Sequence, residues 1–172
     1  MYDKAPLDPY ELALRRLARR SYSMAELRRA LERQCGPVPA VAAAIRRLRG
    51  QGLLDDQRTA RQVASSLARN RSFGRMRVRR ELKSRLFDYR QIEPALDAAF
   101  SENDEHALLA RALEKKLRTI HHPLTPRKIF SLCQSLMRLG FRSDDIMKAV
   151  RSRPELRPDA EEVELPEDEL RE

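Results

Sequence analysis

The sequence predicts an all-α fold, an elongated and curved array of three tandem three-helix repeats with a disordered acidic C-terminal tail. Three observations lead to it. Apolar residues return at spacings of three and four and never of two, which is the period of one helix face and not of a strand. The same apolar positions then recur down the chain. At a shift of 51, Leu31, Val41 and Ile45 fall on Leu82, Ile92 and Leu96; at a further shift of 54, Leu82, Phe87, Ile92 and Leu96 fall on Leu136, Phe141, Ile146 and Val150. Apolar positions that recur where polar ones do not are what a repeated packing unit needs. Finally, the five glycines stand where an apolar pattern stops or starts, as helix punctuation rather than as a phosphate-cradling loop.

Residues 1–9 form an N-terminal segment ahead of the first repeat, which covers 10–54. In it, Tyr10, Ala13, Leu14 and Leu17 make one apolar stripe, Met24, Leu27 and Leu31 a second, and Val41, Ala44, Ile45 and Leu48 a third. Ser23 followed by Glu26 predicts a reciprocal capping box at the start of the middle helix. The second repeat covers 55–100. Asp56 is placed to cap the segment from Gln57, Val78, Leu82 and Leu86 make the middle stripe, and Asp88 with Gln91 repeats the capping box. The third covers 101–153, with a longer connection at His121-His122-Pro123-Leu124 and Thr125-Pro126 placing proline at a first helical position. A unit of about 50 residues has a thin core of its own, so neighbouring units must share surface. From Pro154 the pattern ends, and 154–172 read as the acidic tail.

Charge is distributed unevenly. The whole chain carries +9, but residues 155–172 hold nine acids and two bases, which leaves +16 on residues 1–154. The helical part therefore calls for an anionic partner. A composition of 41% hydrophobic and 35% charged residues closes a modest core under a charged surface, which excludes disorder throughout. No apolar run approaches the roughly 20 residues of a membrane span, and Met1 to Pro9 lacks a signal-peptide pattern, so a cytoplasmic monomer is expected. Cys35 and Cys133 are far apart and read as small buried hydrophobes.

Chemistry is scarce. None of the phosphate-loop, dinucleotide, nucleophile-elbow or zinc-protease motifs occurs. The adjacent His121 and His122 point apart on a helix, and the acid pairs Asp55-Asp56 and Asp144-Asp145 sit where helix dipoles stabilise carboxylates. No catalytic, cofactor-binding or metal site is expected, and the protein is not read as an enzyme. The informative feature is basic: between Arg69 and Arg85 there are eight bases and one acid, Glu81. On a helix Arg75, Arg79 and Lys83 align beside the apolar stripe, with Arg77 and Arg80 nearby. Like charges at that density repel unless an anionic partner relieves them. These five residues are the candidate partner-binding site, for DNA phosphates or for an acidic protein groove. With no Trp and nine Phe plus Tyr, mostly in apolar stripes, readout by base stacking is disfavoured.

The order and spacing of these segments resemble a known family. Leu17 to Leu31, with the Ser21-Tyr22-Ser23-Met24-Ala25-Glu26-Leu27 core, then Leu48 to Gly52 and Leu53-Leu54-Asp55-Asp56, are similar to the opening of the bacterial regulatory protein RecX. Gly74-Arg75-Met76-Arg77-Val78-Arg79-Arg80-Glu81-Leu82 through Leu96 resembles that family's second repeat, and Arg138-Leu139-Gly140-Phe141 through Val150 its third. Two positions depart from the family pattern. Thr59 stands where members usually carry an aromatic, and Arg85-Leu86 where they usually carry Lys-Gly. The resemblance implies a non-enzymatic modulator of the RecA recombinase, lying in the groove of the RecA filament on single-stranded DNA and typically inhibiting ATPase, filament growth and strand exchange, in DNA repair and the SOS response. The alternative is a stand-alone helical DNA-binding protein that contacts phosphates through its basic face.

Overall fold

The computed structural model describes residues 8–35, 38–120 and 124–156. Gly36, the His121-His122-Pro123 stretch and the acidic residues from Arg157 onward lie outside them. Among the described residues there are nine α-helices, one short 3-10 turn and no strand. The helices are α1 (Pro9–Leu17), α2 (Met24–Cys35), α3 (Val38–Gly50), α4 (Asp56–Arg71), α5 (Arg75–Ser84), α6 (Tyr89–Glu102), α7 (Glu105–Leu117), α8 (Pro126–Arg138) and α9 (Ser143–Arg151).

Three hydrophobic cores follow the chain, one per helix trio. The first gathers Leu27, Leu31, Val41, Ile45 and Leu48; the second Val78, Leu82, Phe87, Ile92 and Leu96; the third Leu132, Leu136, Phe141, Ile146 and Val150. The positions that recur in the sequence are therefore the buried ones, and close helix pairs fall within each trio. The cores are joined at the second boundary: Ala68 of α4 belongs to the third core, and Phe100 packs against both the second and the third. Two stripe residues stand away from the cores, Leu14 and Leu86 at 37% exposure, and Met24 is half-buried against the first. The packed part also runs past the expected end at Pro154, because Pro154–Leu156 form a 3-10 turn that buries Leu156 in the third core.

Several helix starts are as the sequence suggests. Asp88 and Gln91 form a reciprocal box, and Thr125 accepts from the Lys128 amide with Pro126 at the first helical position. Two differ. Asp55, not Asp56, caps α4, accepting from the Arg58 amide at 3.0 Å. Ser23 Oγ accepts from the Glu26 amide at 3.0 Å, but the Glu26 carboxylate turns to Arg20 instead of returning to the cap. Of the two displaced carboxylates, Asp56 is used between units, and Glu26 stays within the first unit on Arg20.

The free amides at the start of each of the first two middle helices are capped by the following unit. Asp56, the first residue of α4, accepts from the Met24 amide at 2.8 Å, and Glu105, the first residue of α7, accepts from the Arg75 amide at 2.8 Å. Met24 and Arg75 are equivalent at the shift of 51. One position earlier, Ser23 Oγ donates to the Arg85 carbonyl and the Gly74 amide donates to the Leu139 carbonyl. The last middle helix, α8, has its own cap in Thr125 and no proton to donate at Pro126.

Candidate partner-binding surface

The middle helix of the second unit carries the basic row, and its setting is less bare than its sequence. Arg79 lays its guanidinium on Glu93 of α6 in a bidentate pair, Nε to Oε1 at 2.9 Å and Nη2 to Oε2 at 2.8 Å. Arg75 Nη2 reaches Asp97 Oδ1 at 2.5 Å and lies 3.9 Å from Glu93. Arg77 pairs with Glu81 one turn on and stands over the Phe73 ring. The hydrogen bond from Arg79 holds the Glu93 carboxyl below its ordinary range, and the same bond raises Arg79. Each such half-exposed pair contributes about 1 kcal/mol or less.

These pairs correct the expectation of an unrelieved cationic row. The repulsion among Arg75, Arg77 and Arg79 is offset within the protein by Glu93, Asp97 and Glu81. Two of those acids lie on the next helix, which a count along α5 alone misses. Of the five candidate residues, Arg80 and Lys83 remain exposed with no ion pair among the described residues. A charge reversal at Arg75 and Arg79 would place new carboxylates against Glu93 and Asp97. It would therefore perturb folding as well as binding, contrary to what their position beside the apolar stripe suggests.

Lys83 opens onto a feature that was not legible in the sequence. A crevice of about 600 Å³ runs between the first and second units, with Arg28, Arg46, Arg49 and Lys83 on its walls and Met24, Ile45, Leu86 and Phe87 among its apolar lining. The three arginines are exposed and, like Lys83, form no ion pair among the described residues. They lie 34 to 55 positions from Lys83 in sequence. Only the Arg28-Arg29 and Arg46-Arg47 pairs hinted at them. Asp56 and Asp88 also face the crevice, each engaged at a helix start. Burial, more than any other cause, pushes the Asp56 carboxyl up, against the lowering effect of the Met24 amide.

A second crevice, of about 390 Å³, lies at the same junction and is lined by Leu14, Leu17, Tyr22, Leu53 and Thr59. Both cysteines are free and half-buried, Cys35 against the first core and Cys133 against the third. Among the described residues no group of three or more His, Cys, Asp or Glu is placed to hold a metal ion. No helix of the described residues is long and apolar enough to cross a membrane.

Comparison with known proteins matches residues 55–96 to the second three-helix domain of RecX. The chain is 34% identical to the regulatory protein RecX of Chlorobaculum tepidum, over 81% of this chain and 84% of that protein. To the regulatory protein RecX of Trichlorobacter lovleyi it is 30% identical, over 81% and 91%. In fold it is similar to the crystal structure of RecX from Lactobacillus salivarius, with a TM-score of 0.69 at 19% identity over 84% of this chain and 93% of that one. A further crystal structure of a regulatory protein RecX gives a TM-score of 0.71 at 21% identity, over 84% and 72%.

Proposed function

The chain belongs to the RecX family of regulatory proteins, and from that premise we propose that it binds the RecA recombinase and its filament on single-stranded DNA. It acts there without catalysis, in the cytoplasm and as a monomer, restraining ATP hydrolysis, filament extension and strand exchange during DNA repair and the SOS response. The observation that carries this reading is the match along four fifths of the chain to regulatory relatives. A row of three-helix units, 10–54, 55–100 and 101–153, suits a partner that itself repeats. A rod that bridges successive protomers differs in affinity between filament and free protein, and that difference can shift assembly.

Within the proposed site, Arg80 and Lys83 meet the partner's anionic groups. Arg75, Arg77 and Arg79 hold that face in shape through their carboxylates. The test is DNA-dependent ATP hydrolysis by RecA with the chain added up to equimolar amounts. Suppression is expected, and Arg80→Glu with Lys83→Glu should weaken it while the thermal unfolding midpoint stays put. Unchanged hydrolysis together with no co-sedimentation with filaments rejects the reading. The role of the acidic tail is best tested on a chain ending at Leu156, since ending at Arg153 removes a core residue and costs about 2 to 3 kcal/mol.

A stand-alone DNA-binding role is the second reading, favoured by the exposed arginines of the crevice. It predicts tight binding to naked duplex with a steep negative salt slope. Strong binding to RecA-coated DNA beside weak, shallow binding to bare DNA rejects it.

A further inference from the structure

We propose that the crevice between the first and second units is a docking site for an acidic peptide segment interleaved with apolar side chains, presented by a partner protein. The inference deepens the filament reading by assigning part of the surface to protein and not to nucleic acid. Its test does not require RecA.

The crevice carries two kinds of lining at once. Its cations, Arg28 on α2, Arg46 and Arg49 on α3 and Lys83 on α5, are exposed and without ion pairs among the described residues. Other exposed arginines are also unpaired, Arg80 among them, while Arg15 and Arg20 pair with Glu11 and Glu26; what sets the crevice apart is that four such cations from three helices face one concave surface. Between the cations the lining is apolar: Leu86 is 37% exposed and Met24 half-buried, over the nearly covered Ile45 and Phe87. Leu86 is an apolar side chain held in solvent on a residue with φ of 60°, a backbone conformation that usually belongs to glycine.

This combination fits a peptide better than a nucleic-acid strand. A strand needs phosphate contacts along a track and flat aromatic faces for its bases. Phe87 is the aromatic residue of this lining, and at 6% exposure its ring is covered by the protein's own packing. Asp56 and Asp88 stand among the cations and would repel a phosphodiester track. A peptide with carboxylates at separate points can avoid them and place Leu-like side chains on Leu86 and Met24 between charge contacts. Arginine presents a planar fork that pairs with carboxylates in two parallel bonds. Because the walls come from both units, an occupant would also fix the angle between them.

The experiment is fluorescence anisotropy on the full chain with three labelled probes of 12 residues. They are a glutamate-rich peptide with two leucines four positions apart, its all-glutamate counterpart, and single-stranded oligo-dT. The leucine-bearing peptide is expected to bind at least threefold more tightly than the all-glutamate one and more tightly than oligo-dT. Arg46→Gln with Arg49→Gln, and separately Lys83→Gln, should each weaken it about tenfold, with unchanged helical circular dichroism and melting midpoint. Arg118→Gln with Arg127→Gln, on the third unit, should leave it alone. Equal affinity for the two peptides, or peptide affinity indifferent to both crevice variants, overturns the proposal. So does oligo-dT that binds more tightly and displaces the peptide. Loss of RecA inhibition with peptide binding intact would leave the proposal standing and sink the filament reading.

Discussion

At the boundary of the first and second units the Ser23 hydroxyl donates to the Arg85 carbonyl at 2.6 Å, whereas at the equivalent place between the second and third units the Gly74 amide reaches the Leu139 carbonyl at 2.9 Å. In the first case a side chain stands between two backbones. In the second the backbones themselves meet, and the Met76 amide adds a bond to the Gly140 carbonyl. A Cβ on Gly74 would lie 2.5 Å from the Gly140 oxygen, and one on Gly140 would overlap the backbone of Arg77. The consequences extend outward: open crevices flank the first junction, while Ala68 and Phe100 tie the second into shared core. The last two units form a closely knit pair, and the first is attached more loosely, by contacts that need few groups to let go. Compliance in an array belongs where packing across the boundary is thinnest.

The sharpest way to break this contrast is at the second junction. Gly140→Ala should cost about 2 to 5 kcal/mol, since it adds an overlap with Arg77 to the strain of a side chain at φ of 94°. Urea denaturation measures it. Ser23→Ala, at the matching site of the first junction, should cost only about 1 to 2 kcal/mol, the worth of one cap and one bond to a carbonyl. Equal losses for the two variants would erase the distinction between the junctions.

A smaller effect separates two carboxylates by their environment, Asp56 at the first junction and Glu93 inside the second unit. Asp56→Ala leaves the Met24 amide without its acceptor and should cost about 1 to 3 kcal/mol. Asp56→Asn keeps a carbonyl oxygen and removes the charge that burial disfavours, so it should match or exceed wild type at neutral pH. The sign follows from the raised carboxyl: the ionised form costs stability in full above the folded-state pKa, and that cost is gone below the unfolded value. The gain from Asp56→Asn should therefore vanish as acid melts are taken below about pH 4. Glu93 behaves oppositely. Its lowered pKa means a stabilisation that is full above the ordinary carboxylate range and lost as pH falls through the folded value, so Glu93→Gln should hurt at neutral pH and be silent in acid.

These junctions explain what the sequence could and could not reveal. The cores were legible because Leu82, Ile92 and Leu96 must remain apolar to be buried, and burial imposes residue type at a fixed spacing. The junctions were not, because each of these bonds has on at least one side a backbone group that any residue supplies. Ser23 and Gly74 share no chemistry as side chains, nor do Arg85 and Leu139, yet each pair occupies one structural role. The basic row failed for a related reason. Arg75 and Arg79 are paired by Glu93 and Asp97, 14 to 22 positions away, where no window along α5 reaches.

Leu86 tests the same equivalence from the other side. It occupies the place of Gly140 in the next unit and has the same left-handed sense of backbone, φ 60° against 94°. The absence of glycine there left the turn intact and strained. Leu86→Gly should relieve the steric cost and stabilise the fold by about 0.5 to 1 kcal/mol in urea, net of the entropy that glycine restores to the unfolded chain. It also removes an apolar group from the lining of the crevice, so peptide affinity should fall as stability rises. A variant that loses stability would mean that Leu86 packing outweighs its backbone strain.

The smallest effect expected is at Thr59, where family members usually carry an aromatic. Thr59 lines the crevice of about 390 Å³ beside Leu14, Leu17, Tyr22 and Leu53, an apolar wall with room next to it. An aromatic ring at that position of α4 would lie against the first unit and cover part of this wall. Thr59→Tyr should raise stability by less than about 1 kcal/mol, since the apolar area covered is partly offset by the rotamer freedom lost. Its larger consequence is mechanical. With the crevice filled, the first junction would approach the second in tightness, and amide hydrogen exchange in α1 and the start of α4 should slow while that of α7 to α9 stays as it was. Exchange that is unchanged at the first junction would show that the space beside Thr59 does not govern how firmly the first unit is held.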